Sequence, residues 1–155
     1  MDYWVTMSNP QTVEFRLQGL IPSKKNSRIN TKSGASFPSK DFTNWQQESI
    51  IEVRRQSRHR FTGHLHIELI IYFGTLGKAD TDNKVTSILD MLVEAMTLRD
   101  DYWESVSKTS YEADYRKDKP GAFFRITELP DDFFGSEYAI ASKKRNKRNI
   151  KKLGL

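Results

Sequence analysis

The chain has 155 residues, a length that suits one domain with a substantial hydrophobic core. Charged residues make up 29% and aromatic residues 12% of the chain, which excludes a disordered protein. It has no cysteine, which excludes thiolate metal ligands and thiol catalysis. No apolar run approaches the ~20 residues that a membrane span needs, and no signal peptide is visible, so we expect a cytoplasmic protein without membrane association.

The net charge of +5 comes from the C-terminal end of the chain. Residues 142–155 contain seven lysines and arginines and no acidic residue. Subtracting these seven from the 25 basic residues leaves 18 basic against 20 acidic residues in 1–141. A basic terminal segment of this kind typically binds phosphate.

The first predicted element is a half-buried strand from Thr12 to Leu20, where apolar and polar residues alternate. Pro22 ends this strand. The polar segment from Ser23 to Ser36 contains several basic residues and no acidic one, namely Lys24, Lys25, Arg28 and Lys32. A solvated surface loop and a phosphate-binding loop fit this segment about equally well, and the lack of acidic residues slightly favours phosphate.

A helix is predicted to begin after Ser39, which can cap its N-terminus. Its buried face consists of Phe42, Trp45, Ser49, Ile50 and Val53. Its C-terminal arginines are interpreted as ordinary complements to the helix dipole, and they are Arg54, Arg55, Arg58 and Arg60. The clearest strand follows from His64 to Phe73, where apolar residues on both faces indicate a central strand of the sheet.

Carboxylates lie at both ends of the next predicted helix, which spans residues 83–97. Asp80 and Asp82 lie at its start, with Asp82 as the predicted N-cap, and Asp100 and Asp101 follow Arg99 after its end. Its apolar stripe has helical spacing and consists of Val85, Ile88, Leu89, Leu92, Val93 and Met96. Because Mg²⁺ prefers carboxylate oxygens, these paired acids form a candidate divalent-metal site.

Two further strands are predicted over residues 106–115 and 122–129, joined as a hairpin by the turn Lys117–Gly121. A short docking helix over Phe133–Ile140 is expected before the basic C-terminal tail. The order of elements predicts an α+β fold in which a mixed β-sheet carries two main helices on one side. We assign residues 1–130 to a single domain and residues 131–155 to the short helix and the tail.

The tetrapeptide Asp80-Thr-Asp82-Asn83 is by itself a weak signal, since most such sequences are caps and turns. An EF-hand calcium loop is disfavoured because Lys84 and Val85 occupy its fifth and sixth positions. A phosphatase nucleophile would directly follow the apolar strand, whereas six residues intervene here. A nucleotide-sugar transferase with a D-x-D metal site would usually have a much larger doubly wound fold.

Several short motifs, taken together and in order, resemble the RusA family of Holliday junction resolvases, which are crossover junction endodeoxyribonucleases. The motifs are Pro22-Ser23-x-x-Asn26-Ser27-Arg28, Asp80-x-Asp82-Asn83, Leu89-Asp90-x-Leu92, and Asp100-Asp101 followed by Val106. The resemblance covers roughly residues 12–129. It implies a RusA-like, metal-dependent homodimer that cuts four-way DNA junctions in recombination and repair, in a bacterial or phage-infected cell. We expect Mg²⁺ as the metal, for which Mn²⁺ can substitute.

The resemblance also implies roles for individual residues. Asp80, Asp82 and Asp101 would be catalytic metal ligands. Asp100 would bind the metal or orient the attacking water, and Asn83 would support the carboxylates. We further expect DNA contacts from Lys24, Lys25, Asn26, Arg28, Lys78, Lys84, Lys143, Lys144 and Arg145.

One departure from the family pattern concerns a catalytically important lysine four residues after the second aspartate, where this chain has Thr86. Lys84 lies about 200° away around the helix and cannot simply replace it. Lys78, Lys24 or Lys25 could supply the cation instead. The alternative is a non-catalytic or diverged protein of the same fold that binds branched DNA.

The two acidic pairs are too far apart in the predicted structure to meet within one chain. A helix of about 15 residues spans roughly 22 Å, and the residues that separate it from the second pair reach about 10 Å at most. Two such helices packed antiparallel across a twofold axis would bring Asp80 and Asp82 of one chain to Asp100 and Asp101 of the other. The resulting hypothesis is two shared metal sites in each homodimer.

Overall fold

The computed structural model describes residues 11–154, so the first ten residues of the assigned domain lie outside it. Within this range the chain forms six strands and three helices. The strands are β1 (Thr12–Gln18), β2 (Arg28–Asn30), β3 (Ser36–Pro38), β4 (Leu65–Phe73), β5 (Val106–Tyr115) and β6 (Gly121–Glu128). The helices are α1 (Lys40–Gln56), α2 (Thr81–Glu94) and α3 (Gly135–Lys152).

Four of the strands form one mixed sheet in the order β1-β6-β4-β5. β6 runs antiparallel to both β1 and β4, whereas β5 runs parallel to β4. This arrangement confirms the predicted α+β class, the mixed sheet and the central position of β4. The polar segment from Ser23 to Ser36, predicted to be a loop, includes β2, which forms a separate antiparallel ladder with β3.

The hydrophobic core lies between one face of the sheet and the helices α1 and α2. Alternate residues of β1, β4 and β6 point into it, as the two-residue period of a strand requires. These side chains are Phe15, Leu17, Leu65, Ile67, Leu69, Ile71, Ala122, Phe124 and Ile126. Val53 of α1 and Ile88, Met91 and Leu92 of α2 pack in the same cluster. The two main helices therefore lie on one side of the sheet, as predicted.

The predicted hairpin of β5 and β6 was wrong. The two strands lie on opposite sides of β4, and residues 116–120 cross over the C-terminal end of that strand. The amides of Arg116 and Asp118 donate hydrogen bonds to the carbonyl oxygens of Phe73 and Gly74, at 3.0 and 2.9 Å. A Pro-Gly pair indicates a reversal of the chain, but it does not indicate which edge of β4 the next strand will join.

Both ends of α2 differ from the prediction. The helix begins at Thr81, so Asp80 rather than Asp82 is its N-cap residue, and Asp82 lies in the first turn. It ends at Glu94, because Met96 adopts a left-handed φ of 60°. The amides of Met96 and Thr97 donate to carbonyl oxygens of the last turn, which is the pattern of a Schellman motif. Arg99 therefore lies beyond the helix and does not complement its C-terminus.

The C-terminal segment is one helix rather than a short helix and a tail. α3 continues from Gly135 through the basic residues to Lys152, and none of its residues is buried. Within residues 11–154, no helix has both the length and the apolar character that a membrane crossing requires.

Candidate active site at the two ends of helix α2

The first acidic pair lies at the N-terminal end of α2. Asp80 and Asp82 are exposed, and Asn83 contacts both of them. The Asn83 side chain donates a hydrogen bond to Asp80 Oδ2 at 3.2 Å, and its backbone amide lies 2.9 Å from Asp82 Oδ1. The positive end of the helix dipole favours negative charge at this position. Asn83 thus restrains both carboxylates at the end of the helix.

The Pro22–Arg28 segment is attached to the middle of α2, on the C-terminal side of the first acidic pair. The buried Ser87 hydroxyl accepts a hydrogen bond from the Lys24 amide at 3.1 Å and lies 2.7 Å from the Pro22 carbonyl oxygen. The Lys24 ammonium forms an ion pair with Asp90 at 2.8 Å. Two motifs that are far apart in sequence are therefore neighbours in the structure. Ser87 was missed in the sequence, although a serine that faces the core from an amphipathic helix was a detectable signal.

The lysines closest to α2 have partners within the protein. The Lys84 ammonium donates to the carbonyl oxygen of Ile21, and burial lowers the pKa of Lys84 because it disfavours the charged form. Thr86, which occupies the position of the family lysine, donates from its hydroxyl to the Asp82 carbonyl oxygen at 3.0 Å. Lys24 is likewise paired, as described above. Any cation for the acidic pair must come from elsewhere or break one of these contacts.

The second acidic pair lies beyond the opposite end of α2. Asp100 accepts a hydrogen bond from the Tyr102 amide at 3.0 Å, and Asp101 is exposed. The 14 residues of α2 span about 21 Å. Within residues 11–154 of a single chain, no three Asp, Glu or His side chains are grouped so that they could hold a metal ion. One chain therefore places an acidic pair at each end of α2 and does not bring the two pairs together.

The residues predicted to contact DNA fall into two groups. Arg28 donates from Nε and Nη2 to Ser36 at 2.7 Å, which links β2 to β3. The Asn26 amide donates to the Ser23 hydroxyl at 3.3 Å, and Arg145 forms an ion pair with Glu104. Like Lys24 and Lys84, these residues have roles in the fold. The exposed lysines whose side chains make no hydrogen bond or ion pair with any residue in 11–154 are Lys25, Lys78, Lys143 and Lys144.

A cluster that attaches α3 to the segment after the second acidic pair was not predicted from the sequence. Glu104 accepts hydrogen bonds from the Tyr138 hydroxyl at 2.7 Å and from both terminal nitrogens of Arg145 at 2.5 and 2.8 Å. The Trp103 ring meets Phe134 and Tyr138 edge to face, with ring centroids 5.2 and 6.0 Å apart. The basic helix is thereby docked beside a cleft of about 510 Å³ that the second acidic segment also lines.

The Glu104 contacts are expected to make the docking of α3 depend on pH. Hydrogen bonds from Arg145 and Tyr138 hold the pKa of Glu104 at about 2, below its ordinary value of 4.5. A group whose pKa is lowered by folding stabilises the folded state above its unfolded pKa, and this contribution is lost as the pH falls towards the folded pKa. The docking of α3 should therefore weaken as the pH falls from about 4.5 to about 2. The measurement is amide hydrogen exchange, in which residues 135–152 should lose protection over this range.

Matched variants give this expectation a control. Glu104→Gln should reduce the protection of residues 135–152 at pH 7, and the difference from the wild-type protein should disappear near pH 2. Glu112→Gln removes the same charge from the exposed strand β5 and should leave the protection of α3 unchanged. Equal protection of α3 in the wild-type protein and Glu104→Gln at pH 7 would show that this cluster does not hold the helix.

The fold and the site together define an α+β domain with acidic pairs at the two ends of a core helix and basic segments beside them. No family model matches the chain. The chain is 26% identical over 96 residues to the crossover junction endodeoxyribonuclease RusA of Aquifex aeolicus (strain VF5). The aligned region covers 61% of this chain and 76% of that protein. This distant similarity supports a RusA-like relationship, and the mixed α+β fold is compatible with it.

Proposed function

We propose that this protein is a Mg²⁺-dependent, structure-selective DNA endonuclease that resolves four-way junctions by paired phosphodiester hydrolysis. The observation that carries the proposal is the attachment of the Pro22–Arg28 segment to α2 through Ser87, about one and a half turns after Asp82. This contact holds a basic segment against the helix that carries the exposed carboxylates of Asp80 and Asp82. The similarity to a crossover junction endodeoxyribonuclease supports the same class of reaction.

The acidic residues suit a hard divalent cation. Asp80 and Asp82 at one end of α2, and Asp101 with Asp100 at the other, would supply carboxylate oxygens, which both Mg²⁺ and Mn²⁺ accept. The first pair is exposed, and Asn83 restrains it, so its oxygens are accessible and partly oriented. A bound metal would neutralise charge on the scissile phosphate and activate the attacking water.

The basic residues would hold the DNA backbone near these carboxylates. Lys25 lies in the segment attached to α2, and Lys78 lies two residues before Asp80; both are exposed. Each can therefore contact a phosphate without giving up a contact within the fold. Lys24 would position the segment through Asp90 instead of binding phosphate. The exposed lysines of α3 would extend the basic surface beyond the second acidic pair.

A second copy of the chain would complete each metal site. The two ends of α2 are about 21 Å apart, so one chain holds only half of the ligands at either end. In a dimer whose two α2 helices pack antiparallel across a twofold axis, the N-terminal end of each helix would lie beside the C-terminal end of the other. The dimer would then have two such places. Leu89 and Val93 of α2 are only partly buried against the core, which leaves apolar surface for such a contact. Two equivalent sites would suit paired nicks on a junction with twofold symmetry.

A diverged protein that binds branched DNA without cutting it is the second candidate. Thr86 favours it, because this residue replaces the family lysine and its hydroxyl is bound to the helix backbone. Lys84 and Lys24 are engaged with Ile21 and Asp90 and would lose those contacts if they replaced the missing cation. Incubation of a synthetic four-way junction with the protein, in Mg²⁺ and then in EDTA, distinguishes the two candidates.

Asp82→Asn should abolish junction cleavage and preserve junction binding. Asparagine keeps the size of the side chain and an oxygen acceptor, but it removes a charged metal ligand that also repels phosphate. Loss of a group that merely supports a metal ligand costs 10–100-fold, so loss of a ligand should lower the cleavage rate at least ~100-fold. Gel-shift binding in EDTA should stay equal to that of the wild-type protein or improve.

Asp114→Asn is the matched control for this variant. Asp114 is exposed on β5 and pairs in register with Tyr72, on the face of the sheet that points away from the helices. The same change of charge at this position should leave cleavage at the wild-type rate. Wild-type cleavage by Asp82→Asn would rule out the role assigned to Asp82.

A further inference from the structure

Positive charge is concentrated in the segment that joins α1 to β4. Residues 54–60 have the sequence RRQSRHR, with four arginines, one histidine and no acidic residue. All of them except Gln56 line an open cleft of about 650 Å³ together with Ile51, Met96 and Thr97. The sequence alone attributes these arginines to the dipole of α1, but in the structure only Arg54 and Arg55 lie in its last turn.

Two of the arginines have clear structural partners. Arg54 donates from Nε and Nη2 to the carbonyl oxygen of Ala95, at 3.0 and 2.8 Å, and so caps the C-terminal end of α2. Arg55 forms two hydrogen bonds with Glu52, at 3.0 and 2.8 Å. These contacts explain the presence of two guanidinium groups beside the cleft.

The remaining two arginines are not explained by contacts within the fold. Arg58 and Arg60 are exposed, and neither has an ion-pair or hydrogen-bond partner for its side chain within residues 11–154. His59 between them packs edge-on against Phe61, and its Nε2 lies 3.5 Å from Glu128 without forming a hydrogen bond. The charges of Arg58 and Arg60 are therefore free to act on a ligand.

The cleft adjoins the residues that precede the second acidic pair in the chain. The amide of Phe61 donates to the carbonyl oxygen of Thr97 at 2.9 Å, and Phe61 forms a parallel bridge with Leu98. Asp100 and Asp101 follow shortly after Leu98 in the chain. Because this bridge is parallel, residues 58–60 lie along residues 95–97, whereas Asp100 lines a neighbouring cleft with the residues that follow Phe61.

We propose that Arg58 and Arg60 bind the phosphodiester backbone of a DNA arm that passes the second acidic pair. The identification of the ligand as DNA rests on the proposed function. The cleft itself includes no residue of either acidic pair. A guanidinium group presents a planar set of donors that matches two phosphate oxygens, and it remains charged at any physiological pH. Contacts of this kind fix the position of a duplex and carry no sequence preference.

The test is the salt dependence of junction binding, measured in EDTA so that no cutting occurs. The double variant Arg58→Gln/Arg60→Gln should lower the magnitude of the slope of log K against log salt by about 1.8, since each phosphate contact contributes about 0.9. The affinity at low salt should fall at least ~10-fold. Each single variant should lower the slope by about half as much, which guards against a folding defect in the double variant.

The double variant Lys108→Gln/Lys117→Gln is the matched control. It removes two exposed positive charges from β5 and the crossing loop, away from the cleft, and it should leave the slope unchanged. A wild-type slope and affinity in the arginine variants would overturn the inference, even if the wild-type protein cuts junctions. If the wild-type protein binds junctions without cutting them and the arginine variants lose slope, the inference stands and the proposed nuclease activity fails.

Discussion

A heterodimer of Asp82→Asn and Asp101→Asn chains should nick four-way junctions at about half the wild-type rate, although each variant homodimer is inactive. If each metal site takes Asp82 from one chain and Asp101 from the other, both substitutions fall in the same site. The second site of the heterodimer then keeps both aspartates. If both pairs acted within one chain, each site would carry one substitution and the heterodimer would be inactive.

The experiment needs two differently tagged copies of the chain, expressed together and purified through both tags in succession. A plasmid with an extruded cruciform is a suitable substrate, because one nick gives an open circle and paired nicks give a linear product. A heterodimer with one intact site should accumulate open circles, whereas the wild-type protein should give linear DNA. Both products are resolved on an agarose gel.

A second heterodimer, of Asp80→Asn with Asp82→Asn, provides the control. Both substitutions lie at the same end of α2, so each site loses one carboxylate whether the sites are shared or not. This heterodimer should be inactive. Activity restricted to the first heterodimer would support shared sites, inactivity of both would contradict them, and failure to recover any doubly tagged protein would contradict the homodimer.

The rigidity of α2 is the physical reason to expect this outcome. Ile88, Met91 and Leu92 are fully buried along the middle of the helix, so bending it would disrupt the core. Ser87 attaches its first half to the Pro22–Arg28 segment, and the bridge between Phe61 and Leu98 fixes the chain after its end. A single chain therefore cannot bring its own acidic pairs together without disrupting these contacts.

Elements with a strong local pattern were predictable from the sequence. β1 and β4 were recognised from the two-residue period of their apolar side chains, and one face of each packs in the core with the helices. α1 begins where Ser39 predicts, and the Ser39 hydroxyl accepts a hydrogen bond from the Phe42 amide at 3.2 Å. In these cases the local preference and the tertiary packing favour the same conformation, so the pattern is sufficient.

Two predictions failed for the same reason, namely the N-cap of α2 and the hairpin of β5 and β6. At both places the local sequence is compatible with more than one structure. Asp80 and Asp82 are both good N-cap residues. Which of them begins the helix depends on the conformation of the preceding loop. The Pro120-Gly121 turn suits either a hairpin or a crossing loop. The outcome depends on which edge of β4 is available to β6, which is a property of the whole sheet.

The candidate site was only partly predictable for a related reason. The acidic pairs and their separation follow from the sequence, because they flank a helix of known rise per residue. The contacts of Ser87 with Pro22, and of Glu104 with Arg145, join segments that are distant in sequence. No spacing rule connects such residues, and they become visible only when the sheet and the helices are packed.

Gly121→Ala should destabilise the protein strongly, because the backbones of β6 and β1 come into close contact at this residue. A Cβ atom on Gly121 would lie 2.4 Å from the Leu17 carbonyl oxygen, which belongs to the backbone of β1 and cannot rotate away. The loop that crosses β4 makes a second close approach, since Pro120 Cδ would lie 2.8 Å from a Cβ atom on Gly74. Overpacking of this kind typically costs 1–3 kcal/mol, and a backbone clash favours the upper end, about 3 kcal/mol.

Thermal unfolding followed by circular dichroism provides the measurement. In a protein of this size each kcal/mol shifts Tm by about 2–4 °C, so the Tm of Gly121→Ala should fall by about 6–12 °C. Gly77→Ala is the matched control, since a Cβ there meets nothing within 4 Å, and its stability should change by no more than about 0.5 kcal/mol. Equal Tm values for the two variants would contradict the close contact between β6 and β1 at Gly121.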